Sequence, residues 1–246
     1  MKVAISLLTH NDSGYLKPCL ESLINSDIND HEYKLFAWDN NSTDETCEFI
    51  ESLKIEKELI KSNTNKGIVI PRIKLYEKIK KENFDFLLEL HADMLFPKYW
   101  INKLFEVDNE NAVILQPHIL VTGKIMNVAD LEMIIHDLFE EKVYTRCLQV
   151  HPWLVKMSMI NKVGGYYDPI YSPQRCEDDD LVWRILSKGY EIVSTKKSWV
   201  LHYGGVTRHK ALGPAGHDHR QKLCKKFGIE FSQIRDLTEI HPSKRV

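Results

Sequence analysis

Four short apolar runs, each ending in a cluster of polar turn residues and each followed by a helix-spaced segment, constrain this chain more than any other feature. Residues 3–8 stop at Thr9-His10-Asn11-Asp12-Ser13-Gly14, and residues 33–38 stop at Asp39-Asn40-Asn41-Ser42-Thr43-Asp44. A run around Leu59-Ile60 leads into Asn63-Thr64-Asn65-Lys66-Gly67, and residues 84–90 stop at His91-Ala92-Asp93. Between them, Leu16, Cys19, Leu20, Leu23 and Ile24, then Cys47, Phe49, Ile50 and Leu53, then Ile73, Tyr76 and Ile79 recur at helical spacing. Ser42 with Glu45 three residues on reads as a capping box for the second helix. Strands alternating with helices predict right-handed βαβ units and a mostly parallel sheet covered by helices. In such open sheets ligands bind beyond the carboxyl ends of the strands. Thr9, Asp39 and Asp93 each fall at such an end, so the topology alone gathers them at one edge.

The second half is less regular. Strands are expected at residues 112–115, 153–155 and 191–193, with a helix over 131–139 and another after Glu177-Asp178-Asp179-Asp180, closed by Gly189. Gly164-Gly165 interrupts the chain, His202-Tyr203-Gly204-Gly205 follows a β-rich segment, and a last helix is expected over 220–227. No repeat or linker divides the 246 residues, so one domain is expected.

Composition removes whole classes of function. A formal net charge of -2 supplies no basic field for nucleic acid, and 43% hydrophobic residues are too many for a disordered chain. No apolar window reaches the ~20 residues of a membrane span, and residues 1–3 show no secretory pattern, so a soluble cytoplasmic protein is expected. The five cysteines, Cys19, Cys47, Cys147, Cys176 and Cys224, are scattered and read as free thiols.

Three polar groups carry the chemistry. Asp39 follows Trp38 on a buried strand, where a carboxylate is costly unless paired, and a ring N–H or a ribose hydroxyl is a fitting partner; its neighbours Asn41 and Ser42 serve equally as turn formers. His91-Ala92-Asp93 is a polar island flanked by Leu88, Leu90, Met94 and Leu95, and its ligand types suit Mn²⁺ or Mg²⁺ holding a diphosphate, although such a triplet also makes an ordinary solvated turn. The carboxylates at 177–180 partly serve the helix N-terminus, but four exceed what capping needs, and their mutual repulsion raises a pKa toward that of a general base. His202 alone reads as a packing residue.

In this order the motifs resemble those of a family 2 glycosyltransferase of the type A fold, from Val3 to about Gly205. Residues 5–11 are similar to the opening strand and its Thr-x-Asn turn, with Leu8 for the usual Pro and His10 for the usual aromatic. Residues 39–46 resemble the nucleotide-binding loop, and Asn65-Lys66-Gly67 with Arg72 resembles its continuation. His91-Ala92-Asp93 stands where the family has Asp-x-Asp, with His91 replacing the first Asp. Gly164-Gly165-Tyr166 followed by Glu177-Asp178 and Asp180-Leu181 resembles the Gly-Gly-Phe and Glu-Asp-x-Asp-Leu pattern.

The resemblance implies a single α/β domain with a Rossmann-like mixed sheet, in which 1–110 form the nucleotide-sugar-binding half and 111–205 the acceptor and catalytic half. Residues 206–246 would be a tail that acts as a lid or shapes the acceptor site. It implies an inverting transfer of sugar from a nucleotide-diphosphate donor, most simply a UDP-sugar, to a hydroxyl of a glycan, lipid-linked or protein acceptor; a weak or inactive relative that only binds is the alternative. Thr9, Asn11, Asp39, Asn65 and Arg72 would bind donor, and Asp93 and His202 with His91 would hold Mn²⁺ or Mg²⁺. Asp178, or else Glu177, would be the base. Lys222, Lys225 and Lys226 allow peripheral contact with a membrane, against the plainer reading of a solvated helix face.

Overall fold

The computed structural model describes residues 1–122, 126–146, 151–204, 217–236 and 244–245. Cys147, Gly205 and much of the tail, including residues 206–216, therefore lie outside the described residues. The first half alternates as expected: β1 (Lys2–Thr9), α1 (Ser13–Ile24), β2 (Glu32–Asp39), α2 (Thr46–Ser52), β3 (Lys57–Lys61), α3 (Val69–Ile79) and β4 (Phe86–Leu90). β5 (Met94–Leu95), α4 (Ile101–Phe105), β6 (Ala112–Val121), α5 (Val128–Leu138), β7 (Val143–Tyr144), β8 (Trp153–Lys156), α6 (Glu177–Ser187) and β9 (Glu191–His202) follow. Beyond them lie α7 (His217–Phe227), α8 (Ser232–Asp236) and β10 (Lys244–Arg245). No helix among the described residues is long and apolar enough to cross a membrane.

The strands form one mixed sheet in the order β3-β2-β1-β4-β8-β6-β9-β5, with β10 beside β6 and β7 beside β9. β1 to β4 are mutually parallel, β8 runs antiparallel to both β4 and β6, and β6 with β9 is parallel again. Successive side chains point to opposite faces of a strand. Val3, Ile5 and Leu7 of β1 accordingly pack on one face with Leu16 and Leu20 of α1 and Leu104 of α4, whereas Ala4 packs on the other with Leu75 of α3 and Leu181 and Ile185 of α6. Burial on both faces is why these strands read as continuous apolar runs rather than alternating ones.

Several local expectations are revised. Ser42 and Glu45 form no capping box: α2 starts at Thr46 without a side-chain cap, because Ser42 is engaged instead with Asn11 and Asp39. The strand expected at 191–193 and the β-rich segment before His202 are one strand, β9, whose pairing with β6 shifts register between Pro117 and His118. Pro117 has no amide hydrogen for a regular ladder, which fits its place at the irregularity. α5 begins at Val128 because Asn127 caps it, its side chain accepting the Asp130 amide at 2.9 Å.

The tail helix α7 starts three residues earlier than expected and packs inward. Lys222, Lys225 and Lys226 are exposed, as expected of a solvated helix face, and Lys226 also donates to Asp180 at 2.6 Å and Asp168 at 2.8 Å, Asp180 being fully buried. The His219 ring pairs with the Gln174 carbonyl at 2.9 Å. α7 thus braces the loop that leads into α6.

Candidate active site

The first polar loops close on each other because β1 and β2 run in register, with Thr9 opposite Asp39. The Thr9 hydroxyl donates to Asp39 Oδ1 and to the Trp38 carbonyl, each at 3.4 Å, while Asp39 Oδ2 accepts the Ser42 amide at 3.0 Å. Asn11 takes a left-handed conformation, φ 55°, tolerated better by Asn than by most residues. Its side-chain oxygen accepts the Thr43 amide at 2.8 Å, and its own amide donates to Ser42 Oγ at 2.9 Å. The loop after β3 joins them through Asn40, which donates to the Gly67 carbonyl at 2.7 Å and accepts from the Trp38 indole and the Lys66 amide. Asn65 closes its own turn by accepting the Gly67 amide at 2.9 Å. Thr9, Asn11, Asp39 and Asn65 thus belong to one linked set of loops.

Arg72 does not share that position. Its guanidinium is 2% exposed and donates to the Ser6 carbonyl, Ser6 Oγ and the Leu90 carbonyl between 2.7 and 3.1 Å, with Nε 3.3 Å from Glu89 Oε1. The geometry makes Arg72 a strut between β1 and β4 beneath the loops, a supporting role rather than an open donor contact.

His91, Asp93 and His202 converge. One ligand atom from each lies within 4.8 Å of the others, and Asp93 and His202 are buried. β5 pairs Met94 with His202, and the Tyr203 amide donates to the Asp93 carbonyl at 3.0 Å, so the sheet itself brings the late His to the triplet. His202 Nε2 stands 3.2 Å from Asp93 Oδ1, buried and without a well-directed hydrogen bond. Two imidazoles and a carboxylate, packed this closely with a buried ring nitrogen unsatisfied, fit a divalent cation of the Mn²⁺ type.

The carboxylates of α6 divide by environment. Asp180 is a strut, held by Arg184 at 2.5 Å, the Tyr171 hydroxyl at 2.9 Å and Lys226. Glu177 is buried with Oε2 unpartnered; burial first, and then the charges of Asp178, Glu89 and Asp179, push its carboxyl up to about 8 against the opposing pull of its own backbone amide. Asp178 is half-buried. The backbone aims this end of the helix unusually, since Arg175 and Cys176 both carry positive φ, 80° and 66°. Two such residues in succession are strained, and the surrounding contacts hold them there.

Several residues at this edge escaped the sequence reading. Asp12, 4% exposed, is raised to about 7 by burial, with Asp93, Asp44 and Asp39 adding repulsion against the His10 amide that stabilises it. Glu89, near the end of β4, accepts from the Tyr167 hydroxyl at 3.0 Å and contacts His151 Nε2 at 2.9 Å in addition to Arg72. Burial pushes the Glu89 carboxyl up, but Arg72, His151 and Tyr167 outweigh it and hold it below the usual range. A lone Glu in Phe-Leu-Leu-Glu-Leu was the available signal; His151 and Tyr167 had none, because only the fold brings them to it.

The model for Glycosyl transferase family 2 matches residues 5–146, more than half of the chain. No curated protein sequence is similar enough to count as a match. Among solved structures, GalNAc-T7 with UDP, GalNAc and Mn²⁺ aligns over 96% of this chain and 56% of its own, at TM-score 0.67 and 13% identity. TarS of S. aureus aligns over 96% and 42%, at TM-score 0.64 and 15% identity, and its 1–349 fragment with UDP-GlcNAc over 96% and 70%, at 0.65 and 16%. This chain thus spans little more than half of the first and less than half of the second. The likeness in three dimensions is one of fold, the type A glycosyltransferase architecture, and the sequence match over residues 5–146 makes this chain a member of glycosyl transferase family 2.

Proposed function

We propose that the chain transfers a sugar, with inversion, from a nucleoside-diphosphate donor, a UDP-sugar, to a hydroxyl of a glycan, lipid-linked or protein acceptor. The observation that carries this reading is the convergence of His91, Asp93 and His202 at the sheet edge that also bears the Thr9–Asp39 loops. The UDP, UDP-GlcNAc and Mn²⁺ in the similar structures support the donor class. Asp39 with Thr9, Asn11 and Asn65 holds the nucleotide, and Arg72 keeps β1 and β4 in place beneath it. Asp93, His202 and His91 hold the cation, which when bound supplies positive charge against the departing diphosphate.

The acceptor oxygen bonds to the anomeric carbon as the bond from that carbon to the diphosphate oxygen breaks. The hydroxyl proton passes to a carboxylate at the head of α6. Asp178, half-buried, is the first choice for that base; Glu177, buried and raised toward neutrality, is the second.

A thermal-shift panel of UDP-, GDP-, dTDP- and CMP-sugars with and without Mn²⁺ tests the donor site, because a ligand that binds only the folded chain raises its melting temperature. The expected result is a Mn²⁺-dependent shift with the UDP-sugars; no shift with any donor overturns the reading. Asp178→Ala or Glu177→Ala should cost on the order of 10²–10⁴ in turnover with donor affinity retained. Full turnover in both variants overturns the base assignment, and donor binding without any turnover in the wild type marks a binding relative instead.

A further inference from the structure

His91 stands where a carboxylate is usual for this family, and an imidazole ligand needs its ring plane fixed before its nitrogen can meet a cation. Two other imidazoles lie beside the ring. The His202 ring centroid is 5.6 Å away, and the His151 centroid is 4.8 Å away at an interplanar angle of 35°. His151 is also stacked with Trp153, with centroids 4.4 Å apart and planes 27° from parallel. Its Nε2 is pinned to Glu89 Oε1 at 2.9 Å and lies 3.3 Å from the Tyr167 hydroxyl. Glu89 in turn contacts Arg72, whose guanidinium bridges β1 and β4. His151 is 7% exposed and stands outside the trio whose ligand atoms converge.

From this geometry we infer that His151 is a positioning residue for the metal site: locked by Glu89 and backed by Trp153, its ring sets the orientation of His91. The inference rests on the cation-binding reading of His91, Asp93 and His202. A ring held by packing and by a hydrogen bond loses little freedom when the cation arrives, whereas a free one must be ordered first. Glu89 supplies the lock because it is paired within the sheet on both sides, opposite Ser6 of β1 and Trp153 of β8, and cannot drift. Tyr167 shares the same carboxylate oxygen, and Glu177 and Asp178 both press on the Tyr167 hydroxyl electrostatically. One buried carboxylate therefore anchors groups on the cation side and on the base side of the site.

The test is Mn²⁺ affinity, measured by the electron paramagnetic resonance of free Mn²⁺ with UDP present, for wild type, His151→Ala, His151→Asn and His151→Phe. The Asn variant keeps a polar group toward Glu89 without the ring, and the Phe variant keeps the ring without the hydrogen bond. Losses of about tenfold are expected for Ala and Asn, and a smaller loss for Phe, whose ring keeps the Trp153 packing but not the Glu89 lock. A purely structural role would lower the melting temperature and leave the Mn²⁺ affinity of the folded protein unchanged. Wild-type affinity in both Asn and Phe, or weaker binding by Phe than by Asn, overturns the inference while leaving the site itself standing. If wild type binds no Mn²⁺ with UDP, the cation site and this inference fall together. Should the Ala variant not fold, the Asn and Phe pair decides alone.

Discussion

Replacing Gly67 with alanine tests how the loop after β3 is joined to the loop that leads into α6. Gly67 has φ 78°, and a Cβ there would lie 2.6 Å from Pro173 Cβ and closer still to the Pro173 carbonyl oxygen. Neither obstacle is a flexible side-chain end. The same carbonyl accepts the Ile68 amide at 2.7 Å and the Val69 amide at 3.1 Å, so it caps the start of α3. The alanine variant must therefore accept a left-handed backbone, costing about 1–2 kcal/mol, and also force apart two hydrogen bonds worth about 0.5–1.5 kcal/mol each. The sum is about 2–5 kcal/mol, or a fall of roughly 5–15 °C in melting temperature for a chain of this size. Gly189→Ala is the control, because Gly189 has φ 80° with no atom within 4 Å of an added Cβ. It isolates the backbone cost and should lower the melting temperature by only about 2–8 °C. Calorimetry or circular dichroism on both variants measures the difference. If Gly67→Ala melts with or above Gly189→Ala, the two loops are not locked by that contact and the reasoning fails.

Glu177 should make stability fall with pH. Its carboxyl ordinarily titrates near 4.5 and is pushed up to about 8 in the folded chain, so between those values the folded form keeps a proton that the unfolded form has lost. Stability therefore declines from about pH 4.5 to about pH 8, and Glu177→Gln should remove on the order of 1–3 kcal/mol of that decline. Urea melts at pH 5 and pH 8 give the slopes; equal slopes in both proteins refute the burial argument. Asp93→Ala should weaken donor binding with Mn²⁺ and leave the metal-free affinity unchanged, and calorimetric titration showing equal affinities at saturating Mn²⁺ counts against the ligand role. Arg184 holds Asp180 together with the Val163, Gly165 and Tyr166 carbonyls, so even Arg184→Lys, which cannot reach three carbonyls in one plane, should cost about 2–4 kcal/mol by urea melts. A change below about 0.5 kcal/mol would show that the fork is dispensable.

What could be read in advance depended on whether a residue's role was local. The strands ending at Thr9, Asp39 and Leu90 were visible because burial on both faces leaves continuous apolar runs, and parallel connection then fixes where their ends meet. The union of Asp93 with His202 was accessible through the motif order but not through spacing, since it depends on the two-residue β5 lying against β9. Ser42 was misread as a helix cap because its actual partners, Asn11 and Asp39, involve a loop more than thirty residues away as well as its own. The role of Arg72 as a strut, the anchoring of His151 and Tyr167 on Glu89, and the reach of Lys226 to Asp180 all require contacts between distant segments. A chain read one window at a time cannot register them.

The grip of Lys226 on Asp180 has a consequence for the order in which the protein matures during synthesis. Asp180 sits in the first turn of α6, and one of its cationic partners emerges from the ribosome 46 residues after it. Until then the carboxylate has only Arg184 and the Tyr171 hydroxyl, and the loop before α6, with its two left-handed residues, lacks its outer brace. The head of α6 therefore settles after β1 to β9 have been made, and a nascent chain completes the Asp180 anchor only once α7 has emerged.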